Sequence, residues 1–237
     1  MWRVSRVAST ASTNADVADA ARAGEPEGYV LVADEQTAGR GRLGRSWSSP
    51  PGTSLSVSVL LRPSGPPATM WSWLPLLVGV AAVEAIRAVS AVDAVLKWPN
   101  DVQRDGRKLA GILVERVETP EGPAAVAGIG MNIASAPESA ASLADTGVTR
   151  AEVLDAILTR LAAWYQRWLA EPGGSDLAKA YRQACGTLGQ QVRVELPGGS
   201  AITGRAIGID DAGRLILSTS AGDRIIGAGD ILHLRPH

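Results

Sequence analysis

The stretch "KWPNDVQRDGRKLAGILVE", Lys97 to Glu115, decides how this sequence is read. Lys97 and Trp98 end a strand, because Pro99 has no N–H for a ladder and stops it. Asn100 and Asp101 follow on the turn. After a short hairpin, Arg107 and Lys108 begin the next strand. Lys108, followed by Leu109, Ala110 and Gly111, sits at a strand start from which a long side chain can point along the sheet edge into a cleft. Taken alone, the stretch is a β-hairpin with a Pro-Asn-Asp turn and exposed charges. Its neighbours give it more.

Downstream, "KLAGILVERVE" and "AAVAGIGMNI" read as two adjacent strands joined by the turn "TPEGP". In the second, Gly128 and Gly130 allow close backbone approach and Asn132 offers a donor and an acceptor. No GxGxxG opens a helix there, so the dinucleotide fingerprint is missing. Ala134 to Gly147, rich in Ala and Ser, reads as a surface loop. "TRAEVLDAILTRLAAWYQRWLAE" opens on a capping box, Thr149 and Glu152, and carries Val153, Ile157, Leu161, Trp164 and Trp168 at helical spacing as a core stripe. "SDLAKAYRQAC" is a shorter helix capped by Ser175. Beyond Gly186 short alternating runs are separated by PGGS, DDAG and SAGD turns, which implies four or five strands of an SH3-like β-barrel. The boundary falls near Thr187, giving a catalytic unit over 1–186 and a small barrel over 187–237.

Upstream, a helix runs from about Thr69 to Val89 behind the Pro66-Pro67 break. "TSLSVSVLLR" (Thr53 to Arg62) alternates, and reads as a strand with Leu55, Val57, Val59 and Leu61 on one buried face. "YVLVADE" (Tyr29 to Glu35) is a buried strand. "STNADVADAARAG" is a first helix with Thr13 as N-cap, Asp16 in a capping-box-like place and Gly24 as the stop. The order of elements predicts an α/β (α+β) protein, a mixed sheet with helices followed by the barrel.

Between the two upstream strands lies "TAGRGRLGRSW", Thr37 to Trp47. Arg40, Arg42 and Arg45 alternate with Gly39, Gly41 and Gly44. Glycines let a backbone approach a ligand closely, and arginines are permanent cations whose planar fork matches carboxylate and phosphate. The reading is a mobile loop that cradles an anion. A solvated basic loop is the plainer alternative. The chain as a whole carries a formal charge of −1, so the anion site is local, and a general nucleic-acid binder is disfavoured.

The remaining composition narrows the chemistry. With 46% hydrophobic and 20% charged residues, the 237-residue chain has enough for a proper core. Its one cysteine, Cys185, excludes a disulfide within the chain and reads as a small buried residue in a reducing compartment. The two histidines, His233 and His237, lie far along the sequence from the charged motifs, which argues against His-based metal sites and Ser-His or Cys-His catalysis. "MWRVSRVASTAST" lacks the apolar run of a signal peptide. "MWSWLPLLVGVAAVEAI", interrupted by Pro75 and Glu84, reads as a buried helix too short for a membrane span. A cytoplasmic protein without membrane contact is the expectation.

Five motifs occur in one order: "STN" at 12–14, "EQTAGRGRLGRSW" at 35–47, "KWPND" at 97–101, "RKLAGILVE" at 107–115 and "GIGMNI" at 128–133. The set closely resembles the biotin–protein ligases, over nearly the whole chain. That resemblance implies a catalytic domain related to class II aminoacyl-tRNA synthetases followed by an SH3-like domain. It also implies formation of biotinyl-5′-AMP from biotin and ATP with Mg²⁺, then transfer of biotin to a lysine of a biotin carboxyl carrier domain. Because "STN" begins at residue 12, it implies the monofunctional type without a DNA-binding helix-turn-helix. Met131 and Leu43 are small departures, where another aliphatic and a basic residue are commoner.

By the same resemblance, Ser12, Thr13, Asn14, Gln36, Gly39, Arg40, Lys108 and Gly111 hold biotin. Arg40, Arg42, Arg45, Trp47, Lys97, Asn100, Asp101, Lys108 and Asn132 face the ATP or adenylate. Lys108, Arg40 and Arg42 are the catalytic candidates, and Asp101 is a candidate metal contact and base for the acceptor amine. The partner is the carrier domain, and a monomer or weak homodimer is expected. A lipoate or octanoyl transferase is the nearest rival, and a non-catalytic module binding a small acid or RNA is the second.

Overall fold

The computed structural model describes residues 2–172, 174–227 and 229–233. Strand β1 (Arg3–Thr10) runs parallel to β2 (Tyr29–Arg40), and helix α1 (Thr13–Arg22) joins them. Strand β3 (Ser46–Ser49) folds back on the end of β2, and β4 (Ser54–Leu61) pairs with its beginning. A 3₁₀ turn over Ala68–Trp73 leads into helix α2 (Leu74–Val89). Then come β5 (Val95–Lys97), β6 (Asp101–Arg104), β7 (Arg107–Val117) and β8 (Ala124–Asn132), with antiparallel pairing of β5 to β6, β6 to β7 and β7 to β8. Strand β8 returns to pair with β4, so the sheet order is β1-β2-β4-β8-β7-β6-β5.

Helices α3 (Arg150–Ala170) and α4 (Ser175–Ala184) complete this unit. The large core lies between the sheet and α2, α3 and α4, built on Leu74, Leu77, Ile86, Leu161, Tyr165 and Trp168. A smaller core lies on the other face under α1, from Val17, Ala21, Leu31, Leu60 and Val126. Helix α2 is apolar apart from Glu84 and Arg87 in its second half and is accordingly mostly buried. With its 3₁₀ turn it is 22 residues long, enough by length and composition to cross a membrane, which corrects the expectation that the run is too short. Here its surroundings are core side chains.

A second sheet is formed by β9 (Gln191–Glu195), β10 (Ala201–Ile209), β11 (Leu215–Thr219), β12 (Gly222–Ile226) and β13 (Asp230–His233), in the order β12-β11-β10-β9-β13. It is the SH3-like element. Tryptophan indoles bolt it to the first unit: Trp73 Nε1 donates to Asp211 O at 2.7 Å and Trp98 Nε1 to Gly213 O at 3.2 Å. The Thr187 hydroxyl accepts from the Trp98 backbone N–H at 3.1 Å.

Several local expectations shift. Strand β4 is buried on both faces, not one, because Leu60 packs under α1 while Ser54, Ser56 and Ser58 are enclosed by polar neighbours. The N-cap of α1 is Ser12 and that of α4 is Gly174, each without a side-chain cap bond. Thr13 and Ser175 are instead the first helical residues. The Thr149–Glu152 capping box is present as read. Asp101 opens β6 instead of sitting on the turn, and the β6–β7 reversal falls at Asp105 and Gly106, which take φ of 52° and 73°. In the loop from 134 to 147, Ala141 and Leu143 are buried, so it is anchored in part. Strand β1 is an exposed edge with no apolar alternation and escapes a sequence reading.

Candidate active site

The Gly/Arg segment is a hairpin, not a free loop. β2 runs on to Arg40, a 3₁₀ turn covers Arg42–Gly44, and β3 returns with Gly39 opposite Trp47. A side chain at Gly39 would meet the Trp47 carbonyl and the Gln36 amide, so the closed hairpin depends on that glycine. The hairpin covers a cavity of about 100 Å³ bounded by the start of α1, Asn100 on the turn before β6, Asp101 at the start of β6, β7 and β8. The cavity shares Arg40, Arg42, Arg45 and Asn100 with a wider opening of about 580 Å³ that reaches Gly213 and Arg214 of the second sheet.

One end of the cavity is a neutral polar wall. Gln36 Oε1 accepts from the Thr13 backbone N–H at 2.9 Å and from its hydroxyl at 3.0 Å. Gln36 Nε2 donates to Ser56 Oγ at 3.3 Å, which reaches Ser49 Oγ at 2.9 Å. Ser58 Oγ lies 2.7 Å from Thr13 Oγ1 and 2.6 Å from Asn14 Oδ1. Asn14 Nδ2 donates to Glu115 Oε2 at 2.7 Å and to Leu113 O at 3.2 Å. Gly128 is what admits the Asn14 amide, since any side chain there would overlap it. Buried polar groups joined this fully are rigid, and present fixed donors and acceptors to a ligand.

The other end is cationic. Lys108 Nζ pairs with Asp101 Oδ1 at 2.7 Å, and Arg42 Nη1 donates to Asn100 Oδ1 at 3.2 Å. Asn100 also donates to Ile112 O at 2.8 Å and accepts from the Ile112 N–H at 2.9 Å, which ties the turn to β7. Arg45 pairs with Asp230 of the second sheet, and Arg40 lies 3.6 Å from Glu115. Burial lowers the pKa of Arg42, with Asp101 opposing and Arg45 adding to the fall. Burial lowers that of Lys97 too, Asp101 again opposing, with Lys108 and Arg45 as unfavourable neighbours. Crowded, half-buried cations of this kind are relieved by an incoming anion.

Between the two ends lies Trp47. Its indole occupies the space that Gly130 and Gly111 leave open, with Lys108 Nζ 5.8 Å from the ring centroid. Its Nε1 is buried without a hydrogen-bond partner among the described residues. Ligand cavities commonly measure ~300–1,000 Å³, and this one is smaller because the indole fills part of it.

Of the residues expected at the site, Ser12, Thr13, Asn14, Gln36, Arg40, Arg42, Arg45, Trp47, Asn100, Asp101, Lys108 and Gly111 line the cavity together. Gly39, Lys97 and Asn132 do not line it. Gly39 acts through the hairpin, Lys97 stands behind Asp101 and Lys108, and Asn132 is buried with its amide donating to Ala141 O at 3.0 Å. Sequence reading passed over Ser56, Ser58, Glu115 and Asp230. The serines alternate with apolar residues as any half-exposed strand would, and Asp230 comes from the other sheet. The separation of histidine from the charged motifs also needs correction. His233 lies against Thr187, with Nε2 3.2 Å from its hydroxyl, and Lys97 helps lower its pKa after partial desolvation. His237 and the side chain of Leu43 lie outside the described residues. Cys185 is buried, which pushes its thiol pKa up, as befits an inert residue. Among the described residues no three His, Cys, Asp or Glu side chains cluster as a metal site.

Residues 6–132 match the biotin/lipoate A/B protein ligase family, and residues 187–234 match the biotin protein ligase C terminal domain. A biotin–[acetyl-CoA-carboxylase] ligase of Mycobacterium tuberculosis is 42% identical, across 99% of this chain and 90% of that one. One from Paracoccus denitrificans is 35% identical across 95% and 98%. The structure of a biotin protein ligase from Aquifex aeolicus in complex with biotin and ATP superposes with a TM-score of 0.84, at 29% identity and full coverage of both chains.

Proposed function

The chain belongs to the biotin protein ligases of the biotin/lipoate A/B protein ligase family, and on that premise we propose that it joins biotin and ATP into biotinyl-5′-AMP and passes the biotinyl group to a carrier-domain lysine. One observation carries this reading. A single cavity has a neutral wall of fixed donors and acceptors at one end and Lys108, Arg42 and Arg45 at the other. A cyclic urea suits the first, and a carboxylate meeting a phosphate suits the second.

The biotin carboxylate, with a pKa of roughly 4–5 like that of a Glu side chain, is ionised at neutral pH, so no protein base is needed for the first step. The barrier is the approach of one anion to another. Lys108, with Arg40 and Arg42, holds the carboxylate and α-phosphate together and offsets the charge that builds between them. Arg45 and Lys97 add to the positive field, Asn100 positions Arg42, and Trp47 covers the adenylate and keeps water from the mixed anhydride. Ser12, Thr13, Asn14, Gln36, Gly39 and Gly111 form or support the biotin end, and Asn132, bonded to Ala141, is left with a supporting place behind the cavity.

A magnesium ion fits as a companion of the nucleotide. Mg²⁺ commonly takes one or two carboxylates plus substrate phosphates, and Asp101 is the carboxylate to hold it. It would supply charge neutralisation at the phosphates. In the second step the acceptor lysine, with a free pKa of about 10.4, must lose a proton, and we assign Asp101 to receive it. Action in the cytoplasm and on a carboxylase carrier domain belongs to the same proposal. The test is direct: protein, biotin, Mg-ATP and an apo carrier domain are mixed and the carrier is weighed by mass spectrometry. Gain of one biotinyl group is expected, whereas an unchanged carrier with no pyrophosphate released overturns the reading. Preference for lipoate in competition would move the chain to the other branch of its family.

A further inference from the structure

We propose that Glu115 is a positioning residue serving both ends of the cavity: one carboxylate oxygen fixes the Asn14 amide, and the other holds Arg40 until a substrate anion takes its place. The inference rests on the reading of this cavity as the site of biotin and its adenylate. Glu115 does not line the cavity itself but the wider opening beside it. Strand β6 pairs with β7 only as far as Gly111, so at Glu115 the described residues place β8 on one side and no strand on the other. The side chain reaches α1, where Oε2 accepts from Asn14 Nδ2 at 2.7 Å. Leu113 O accepts from the same nitrogen at 3.2 Å. Both partners can only accept, so the amide has one direction, with Oδ1 left to Ser58 Oγ at 2.6 Å.

The other oxygen has a different task. Oε1 lies 3.6 Å from Arg40 Nη2, and Arg40 lines both the cavity and the opening. Both side chains are partly exposed, so the pair is solvated and costs little to break. The neighbouring cations are held more closely. Lys108 Nζ is 2.7 Å from Asp101 Oδ1, and Arg42 donates to Asn100 at 3.2 Å. Arg40 is therefore the loosest of the three catalytic candidates. Its partner is also the one carboxylate bonded to the neutral wall among the described residues. When Glu115 gives up Arg40 it stays anchored by Asn14, so an arriving anion takes the arginine without disturbing the wall. The negative charge on Glu115 is then a built-in competitor for every anion that Arg40 binds.

The experiment uses the full chain and two probes: biotinol, the alcohol of biotin, which carries no anion, and its stable phosphate ester with adenosine, biotinol-5′-AMP. Dissociation constants come from calorimetry, and kcat and KM from ATP–pyrophosphate exchange. Glu115→Gln matches the native side chain in shape, keeps an acceptor for Asn14 and removes the charge facing Arg40. It should leave biotinol binding as in the wild type and tighten biotinol-5′-AMP about threefold, with the kinetic change falling on KM for ATP and not on kcat. In an Arg40→Met background the same substitution should have no effect on biotinol-5′-AMP. Glu115→Ala also takes away the acceptor of Asn14, and should weaken biotinol about fivefold. Tightening that persists without Arg40 assigns the effect to the general field and overturns the inference. So does a Glu115→Gln variant that leaves biotinol-5′-AMP unchanged, or one that shifts both probes alike. Each of these leaves the ligase reading standing. A wild type that binds neither probe overturns both.

Discussion

Lys108 shows how much one side chain is asked to do. It sits at the start of β7, pairs with Asp101 and stands over the Trp47 ring, so it spans from the cationic end to the middle of the cavity. On the proposed function, replacing it removes a preorganised charge at the point where two anions would meet. Lys108→Ala should therefore lower biotin-dependent ATP–pyrophosphate exchange by about 10²–10³-fold with an unchanged circular dichroism spectrum. Exchange at the wild-type rate would remove Lys108 from its role. At this scale the sequence was informative where residue type is rare in context. Arginines among glycines and a lysine at a strand start stand out. It was silent on Ser56, Ser58 and Glu115, since serine and glutamate in an alternating strand look like solvent-facing residues. The start of α1 encloses Ser58, and Gln36 and Ser49 of the β2–β3 hairpin enclose Ser56.

Among the elements, the arginine hairpin is the one whose state should depend on ligand. Its turn is held by side-chain partners at Asn100, Glu115 and Asp230, polar contacts at the surface of the site. Such segments open at low cost. Trypsin should cut after Arg40, Arg42 or Arg45 in the free protein, and biotin with ATP should slow that cleavage. Equal rates with and without the ligands would argue for a rigid hairpin. Helix α3 offers a contrast in kind. Its capping box joins Thr149 and Glu152 reciprocally, with the Thr149 N–H donating to Glu152 Oε2 at 2.8 Å. Thr149→Ala should reduce unfolding stability by about 1 kcal/mol in urea titrations, with activity at saturating substrate unaffected. The box was legible because its two residues are three apart in sequence. The hairpin was misread as a loop because pairing between β2 and β3 uses glycine and polar residues that carry no strand signal.

For the whole molecule, the second sheet is part of the site and not an appendage. Asp230 brings a carboxylate to Arg45, and the turn around Gly213 forms one wall of the wider opening. The junction also carries a titratable group. Partial desolvation, with Lys97 nearby, lowers the His233 pKa from 6.5. The unfolded chain then takes up a proton that the folded one resists, so this group costs nothing well above pH 6.5 and destabilises the docked sheet as pH falls below it. The midpoint of thermal unfolding should drop less between pH 7.5 and 5.5 in His233→Gln than in the wild type. An identical drop would show that other groups set the acid response. None of this contact could be read from the chain in order, since Lys97 and His233 come together only when β13 packs beside β9 near the Thr187 junction.

The pairing of the cavity cations has a kinetic side. Arg40, Arg45 and Lys108 each stand against a carboxylate, in a chain whose formal charge is −1. Paired charges of this kind send little field past a screening length of ~8 Å at physiological salt, so nucleotide is met by diffusion and not drawn in from a distance. On the proposed function, capture is then a matter of exchange at close range, in which phosphate oxygens would displace carboxylates that already hold their place.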